Sequence, residues 1–368
     1  MSIYENISLK EIALKRPFRV INGGWNMFIS GEKAGKPFKL KFESSTLCNL
    51  KCIMCPRTKG LNRKLGILTF ENFKKVFDEI NPPYLNLTGL GEPLLNPDIF
   101  KIIDYARRKG SIVKLDTNAT LLNQENIIKL VNSNPSIISV SLDGITKKSF
   151  EKIRKGAKFD KIIENLKNLI KYRDDSKSKT QIHLFFVLQK DNIKDLVDFI
   201  KFGSSINVDV INGTLAISFG KAENKKLRQI GKEDIDNLKK GLEEIRKDVK
   251  TKINIEGIDD FLENPESKEE RMKGKPCLFP WYSACITWDG FVVPCDKYCD
   301  NEIIFGNAFE EPFMKIWNNE KIKEFRREIS SRKTREICQR CFCDESFLLE
   351  KMKPLYRTPI KKLSKRKL

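Results

Sequence analysis

Three cysteines within eight residues, Cys48, Cys52 and Cys55, place three soft metal ligands on one short loop. The thiolate is the form that binds metal, and sulfur donors select zinc, copper(I) or iron–sulfur clusters. Common four-cysteine clusters leave no iron free. A loop with only three cysteines leaves one iron of a cubane open, as a catalytic zinc keeps one position open. An open iron can bind a chelating ligand and pass it an electron. The other seven cysteines, 277, 285, 295, 299, 338, 341 and 343, lie far downstream, and roughly 220 residues between the groups hold none. Two metal-bearing regions joined by a metal-free scaffold are expected.

That scaffold alternates β-rich runs with helical patterns. Strand candidates are Lys39 to Glu43, Tyr84 to Thr88, Ile112 to Leu115, Ile137 to Leu142, Ile182 to Leu188 and Asn207 to Ile211. Thr69 caps a helix with Phe70, Phe73, Val76, Phe77 and Ile80 at helical spacing. Asn96-Pro97 reads as the N-cap and first residue of a helix ending near Gly110. Further helices are expected at about Asn123 to Val131, Phe159 to Tyr172, Ile193 to Phe202 and Lys232 to Lys247. Regular alternation implies parallel strands with right-handed crossovers. The expected fold class is α/β, a partial (β/α)6 barrel or an open α/β sheet with a C-terminal cysteine-rich extension, the site in either case at the carboxyl ends of the strands. The expected units are an N-terminal extension 1–37, a core 38–270, a cysteine-rich domain 271–347 and a basic tail 348–368.

The C-x3-C-x2-C spacing, with Asn49-Leu50 in the first gap and a strand just before it, resembles the radical SAM superfamily. The resemblance implies that Cys48, Cys52 and Cys55 hold a 4Fe–4S cluster whose open iron chelates S-adenosylmethionine. Reductive cleavage then yields a 5′-deoxyadenosyl radical that abstracts hydrogen from substrate. Met54 stands where the family often has an aromatic residue over the adenine. Gly89-Leu90-Gly91-Glu92-Pro93 is similar to the family's Gly-Gly-Glu-Pro motif, with Leu90 for one glycine. Gly91 and Glu92 are thereby implied at the SAM amino group. Asp116-Thr117-Asn118-Ala119 matches a Thr-Asn-Gly pattern and implies Asn118. Ser139 to Gly144 implies Ser141 and Asp143 at the ribose and amino end. Arg154 is implied at the SAM carboxylate, where a guanidinium fork suits. Each piece alone is an ordinary turn or surface residue; their order at successive strand ends carries the reading.

The C-terminal order of Cys277-x2-Pro280-Trp281, Asp289-Gly290, Pro294-Cys295, Gly306-Asn307, Ile316-Trp317-Asn318 and Cys338-x2-Cys341 resembles the SPASM/twitch extension. Asp289-Gly290 is a two-residue hairpin signal. One amphipathic helix is expected to carry Phe313, Ile316, Trp317, Phe325 and Ile329. Seven cysteines are fewer than two full clusters need, which implies one auxiliary 4Fe–4S cluster on Cys277, Cys295, Cys338 and Cys341. Cys285, Cys299 and Cys343 are left over. A four-thiolate zinc site is the alternative. His183, the only histidine, reads as a packed strand residue. No catalytic acid or base is assigned.

Lys and Arg number 69 against 49 Asp and Glu, a net charge of +20. The bases are spread over every segment, which indicates a solvated surface rather than a nucleic-acid footprint. The tail from Lys351 to Leu368 holds eight bases and two prolines, a flexible segment able to meet an acidic partner or membrane surface. No apolar run reaches 18 residues and the N-terminus has no apolar signal region, so a cytoplasmic location is expected, where thiols stay reduced. The expected cofactors are two 4Fe–4S clusters and SAM, with an electron donor such as a ferredoxin or flavodoxin. The expected activity is of oxidoreductase type, the auxiliary cluster assisting net oxidation or binding substrate. The substrate is a small molecule of a cofactor, haem or lipid pathway, or a peptide; only about 36 residues precede the first strand, less than a leader-binding domain. A zinc-containing nucleic-acid-binding protein is the distant alternative.

Overall fold

The computed structural model describes residues 31–216, 229–263, 277–331 and 335–339. Ten strands form one sheet: β1 (Lys39–Phe42), β2 (Tyr84–Leu87), β3 (Ile112–Thr117), β4 (Ile137–Ser141), β5 (Gln181–Leu188), β6 (Val210–Leu215), β7 (Lys252–Asn254), β8 (Ser283–Ile286), β9 (Phe291–Val293) and β10 (Gly306–Asn307). Their order is β10-β9-β8-β1-β2-β3-β4-β5-β6-β7. Strands β1 to β7 pair in parallel in sequence order, with a helix in nearly every crossover, so the sheet is an open barrel. The expected partial (β/α)6 barrel is present, extended at both edges. β8 adds to β1 in parallel, and β9 and β10 follow antiparallel. The cysteine-rich hairpin is therefore continuous with the barrel sheet.

Strand parity sorts the side chains. Leu40, Phe42, Leu85, Leu87, Val113, Leu115, Ile138 and Val140 are fully buried under the helices. The alternate residues, among them Lys41, Asn86, Lys114, Asp116 and Ser141, line the hollow inside. A period of two places these sets on opposite faces. The outer helix Phe70–Ile80 buries Phe73, Val76, Phe77 and Ile80 as its spacing requires, and Thr69 caps it by accepting from Asn72 N.

Some elements differ from expectation. The sixth strand runs Val210–Leu215 rather than 207–211, because Asn207 at φ +62° belongs to the turn before it. Asn96 is not an N-cap. Its Nδ2 donates to Ser44 and Leu68 carbonyls, its Oδ1 accepts from Asp98 N, and the helix starts at Ile99. The expected single helix around Trp317 is two, Phe313–Trp317 and Glu320–Ser330. Asn319 breaks it by capping the second, accepting from Ile322 N. Strand β7 and the helix Glu256–Glu263 were not anticipated. The expected boundary near 270 and the basic tail lie outside the described residues. Among the described residues no helix is long and apolar enough to cross a membrane.

Candidate active site

The cysteine loop leaves the carboxyl end of β1 and is latched from two sides. Lys51 N and Ile53 N donate to the carbonyls of Lys155 and Ile153. Arg57 Nε donates to Thr46 O. Cys55 then caps a short 3₁₀ turn, Pro56–Lys59. The thiols sit close enough to perturb one another. Burial pushes Cys52 up to about 11 and raises Cys55, with Arg154 opposing and the neighbouring cysteines adding to both shifts. Cys48 Sγ accepts from Leu50 N at 3.4 Å and Asn118 Nδ2 at 3.8 Å. Such N–H···S contacts compensate a thiolate. Among the described residues no three His, Cys, Asp or Glu side chains converge on one metal-ion position. Thiolates that each meet a different iron of a cluster need no such convergence.

The loop after β2 packs against the loop after β1. Gly91 N and Glu92 N donate to Ser45 O and Leu47 O. A Cβ on Gly91 would lie 2.5 Å from both carbonyl oxygens, so only glycine permits this approach. Glu92 is buried and does not line the hollow. Its carboxylate accepts from Thr117 Oγ1 and Asn118 N, both at 2.7 Å, and from Leu94 N. It stitches the β2 and β3 loops, and burial raises its pKa despite these donors. Ala119, standing for the family's glycine, is held at φ +60°. That conformation costs an L-residue about 1–2 kcal/mol, which explains a glycine preference there.

Arg154 closes the helix Lys147–Ile153 directly beneath the cysteine loop. Its Nη2 lies 2.7 Å from Asp143 Oδ2, both groups almost fully buried. Asp143 Oδ1 accepts from Val187 N. Arg154 Nε is buried without a hydrogen-bond partner. The orphaned donor and the three adjoining thiols fit an anionic ligand seated at this loop.

Between this loop and the C-terminal hairpin lies a cavity of about 300 Å³. Met54, Gly89, Leu90 and Ser141 border it on one side, and Cys285, Cys295, Tyr298 and Cys299 on the other. Of the residues expected at SAM, Met54 and Ser141 reach this cavity. Gly91, Glu92, Asn118, Asp143 and Arg154 surround the cysteine loop behind it. Tyr298 hydroxyl and Cys338 Sγ are 3.2 Å apart, and the neighbouring Cys338 and Cys295 thiols raise the Tyr298 pKa further than burial alone. Cys295 and Cys338 thus share a neighbourhood. Cys285 and Cys299 instead lie near Arg63 and Asp296, and burial pushes each up to about 12. Cys341 and Cys343 lie outside the described residues.

The sequence reading missed the polar inner wall. Lys41 pairs with Asp296 at 2.8 Å, and Lys114 with Asp116 at 3.0 Å. Arg63 grips Glu43 with two bonds of 2.7 Å. The signal was present in the alternation Lys-Leu-Lys-Phe-Glu and Lys-Leu-Asp-Thr-Asn. Without the sheet's curvature it reads as a half-solvated strand.

A family model described as the radical SAM superfamily matches residues 42–200, and one for the SPASM iron–sulfur cluster-binding domain matches 277–342. The chain belongs to the radical SAM superfamily and carries a C-terminal SPASM domain. It is a family enzyme whose domains imply iron–sulfur clusters and S-adenosylmethionine as cofactors. The chain is 24% identical over 304 residues to the AdoMet-dependent heme synthase of Methanosarcina barkeri, covering 78% of this chain and 83% of that protein. It is 26% identical to the tungsten-containing aldehyde ferredoxin oxidoreductase cofactor-modifying protein of Pyrococcus furiosus, covering 78% and 82%. SuiB of Streptococcus suis shares the fold. Its structure with precursor peptide SuiA gives a TM-score of 0.67 at 17% identity, covering 94% of this chain and 79% of that one. Its structure with S-adenosylmethionine gives 0.63 at 18%, covering 88% and 76%.

His183 is fully buried in β5 and does not line the cavity. Its Nε2 lies 3.1 Å from Gln181 Oε1 and its Nδ1 3.4 Å from Asn212 Nδ2. These contacts suit the neutral ring protonated on Nε2. Burial first, then Lys114, pushes its pKa down to about 3. The unfolded residue titrates near 6.5, so below that pH the unfolded chain binds a proton the folded one refuses. Wild-type stability should therefore fall relative to His183→Gln by up to about 1.4 kcal/mol per pH unit below about 6.5. Denaturant midpoints of both proteins between pH 7 and 5 check this; parallel slopes would refute it.

Proposed function

We propose that this enzyme reductively cleaves S-adenosylmethionine and uses the resulting radical to take hydrogen from a substrate in the 300 Å³ cavity. The observation that carries the reading is one cavity bordered by Met54 of the loop 48–55 and by Cys295 of the C-terminal cysteine group. Cys48, Cys52 and Cys55 would hold one 4Fe–4S cluster, with an open iron toward the ligand. Bound there, the cluster supplies the electron that breaks the sulfonium's bond to the 5′ carbon. The chain's own residues orient the pieces. Gly91 lets backbone carbonyls come close, Asn118 steadies Cys48, and Arg154, held by Asp143, aims its unpaired Nε toward a carboxylate. Met54 and Ser141 face the cavity, while Phe185, Val187 and Val293 give it an apolar lining.

Cys277, Cys295, Cys338 and Cys341 would hold an auxiliary cluster suited to accepting an electron from a substrate radical or to binding substrate. Net oxidation, of oxidoreductase type, is the leading outcome. The donor is a one-electron carrier of the ferredoxin or flavodoxin kind. Similarity to a heme synthase and a cofactor-modifying protein favours a small molecule of a cofactor or related pathway. Peptide modification is the second reading, favoured by the fold shared with SuiB. The test is anaerobic: reconstituted protein with dithionite and SAM should release methionine and 5′-deoxyadenosine. Stoichiometric zinc without iron after anaerobic purification ends this reading.

A further inference from the structure

We infer that the cavity takes an amphipathic carboxylic acid, its carboxylate held by Lys41. This rests on the proposed function in treating the cavity as the substrate's. Among the described residues, four cationic side chains line it, Lys39, Lys41, Arg63 and Lys114, against three carboxylates, Glu43, Asp116 and Asp296. Apart from Cys295, which the proposed function gives to the auxiliary cluster, these side chains carry one excess positive charge in surroundings of low polarity, where a single charge weighs heavily. Cys285, opposite Lys41 in the β1–β8 pair, does not offset it, because burial keeps that thiol protonated at neutral pH.

Hydrogen-bond accounting leaves Lys41 with donors to spare. Asp116 gives one oxygen to Lys114 and the other to Thr88 Oγ1. Arg63 gives both Nη groups to Glu43 and Nε to Cys299 O. A lysine ammonium has three donors. Asp296 takes one of those on Lys41, whose side chain is 15% exposed, toward the hollow. An incoming carboxylate can accept the others in a charge-assisted bond. Phe185, Val187, Leu215, Ile286 and Val293 supply apolar wall for the rest of the ligand. The volume, at the small end for ligand sites, suits one compact body. Lys41 lies on the side of β8, so a ligand anchored there reaches back toward Met54 and Ser141.

The test uses an acid and amide of one shape, 2-naphthylacetate and 2-naphthylacetamide, in equilibrium dialysis against the reconstituted, SAM-loaded protein. Expected is one acid bound per chain, about ten- to hundredfold tighter than the amide, the size of a lost charge-assisted bond. Lys41→Arg should keep part of the preference. Lys41→Met should remove it and leave amide binding alone. The double variant Lys41→Met with Asp296→Asn repeats the comparison without leaving the Asp296 carboxylate unpaired. Lys167→Met, an exposed helical lysine, should keep the preference. Equal affinity for acid and amide, binding of neither, or a preference surviving in the double variant overturns the proposal. SAM cleavage by the same wild-type preparation separates the two readings. Cleavage without acid preference removes only the Lys41 anchor, and absence of cleavage removes the radical reading itself.

Discussion

Replacing Cys48, Cys52 and Cys55 together by alanine should lower iron from about eight to about four per chain and bring 5′-deoxyadenosine below detection. Among the described residues, no side chain near the loop can substitute for the thiols. Glu92 is occupied by three donors, Asp143 is paired with Arg154, and no histidine is close. Without them no open iron chelates SAM, and the sulfonium receives no electron. Cys338→Ala with Cys341→Ala should also lose about four iron yet keep dithionite-driven cleavage, because Cys338 lies beside Tyr298, across the cavity from Met54. Iron and sulfide analysis, with chromatographic detection of 5′-deoxyadenosine, reads both variants. Loss of cleavage in both, with the first cluster intact by spectroscopy in the second, contradicts this division of labour.

Arg154 carries the second large effect, and the structure changes how it must be tested. Arg154→Ala alone leaves Asp143 charged and fully buried with its cation gone, which typically costs about 3–5 kcal/mol of stability. A loss of SAM binding in that variant would not separate contact from collapse. Arg154→Met with Asp143→Asn removes both charges together. If Arg154 Nε meets the SAM carboxylate, this pair should weaken SAM binding by about 1.5–3 kcal/mol, roughly ten- to hundredfold, with its melting temperature nearly unchanged. Arg154→Lys should recover part, since an ammonium keeps the charge and loses the planar fork. Equilibrium SAM binding to the reconstituted proteins decides. An unchanged dissociation constant in the double variant makes the pair a purely structural strut.

The sequence by itself determined the class of chemistry and the order of the core. Cys48, Cys52 and Cys55 are local: three thiols within eight residues share a loop whatever surrounds them. The β1 to β6 alternation is local too, because strand and helix periods and caps such as Thr69 and Asn123 act over a few residues. Only the tertiary structure decided which charges face which. Lys41 and Asp296 are 255 residues apart, and their pairing exists because β8 joins β1 and brings the residues after β9 across the hollow. Glu92 reads from its motif as a ligand contact, and its carboxylate also ties the β2 loop to Thr117 and Asn118 after β3. Asn96 reads as a helix cap and instead ties that loop to the carbonyls of Ser44 and Leu68. In each case a local preference was available, and a distant partner offered a buried polar group a better bond. Burial makes an unpaired polar group costly, so long-range pairing overrides what a short window of sequence can express.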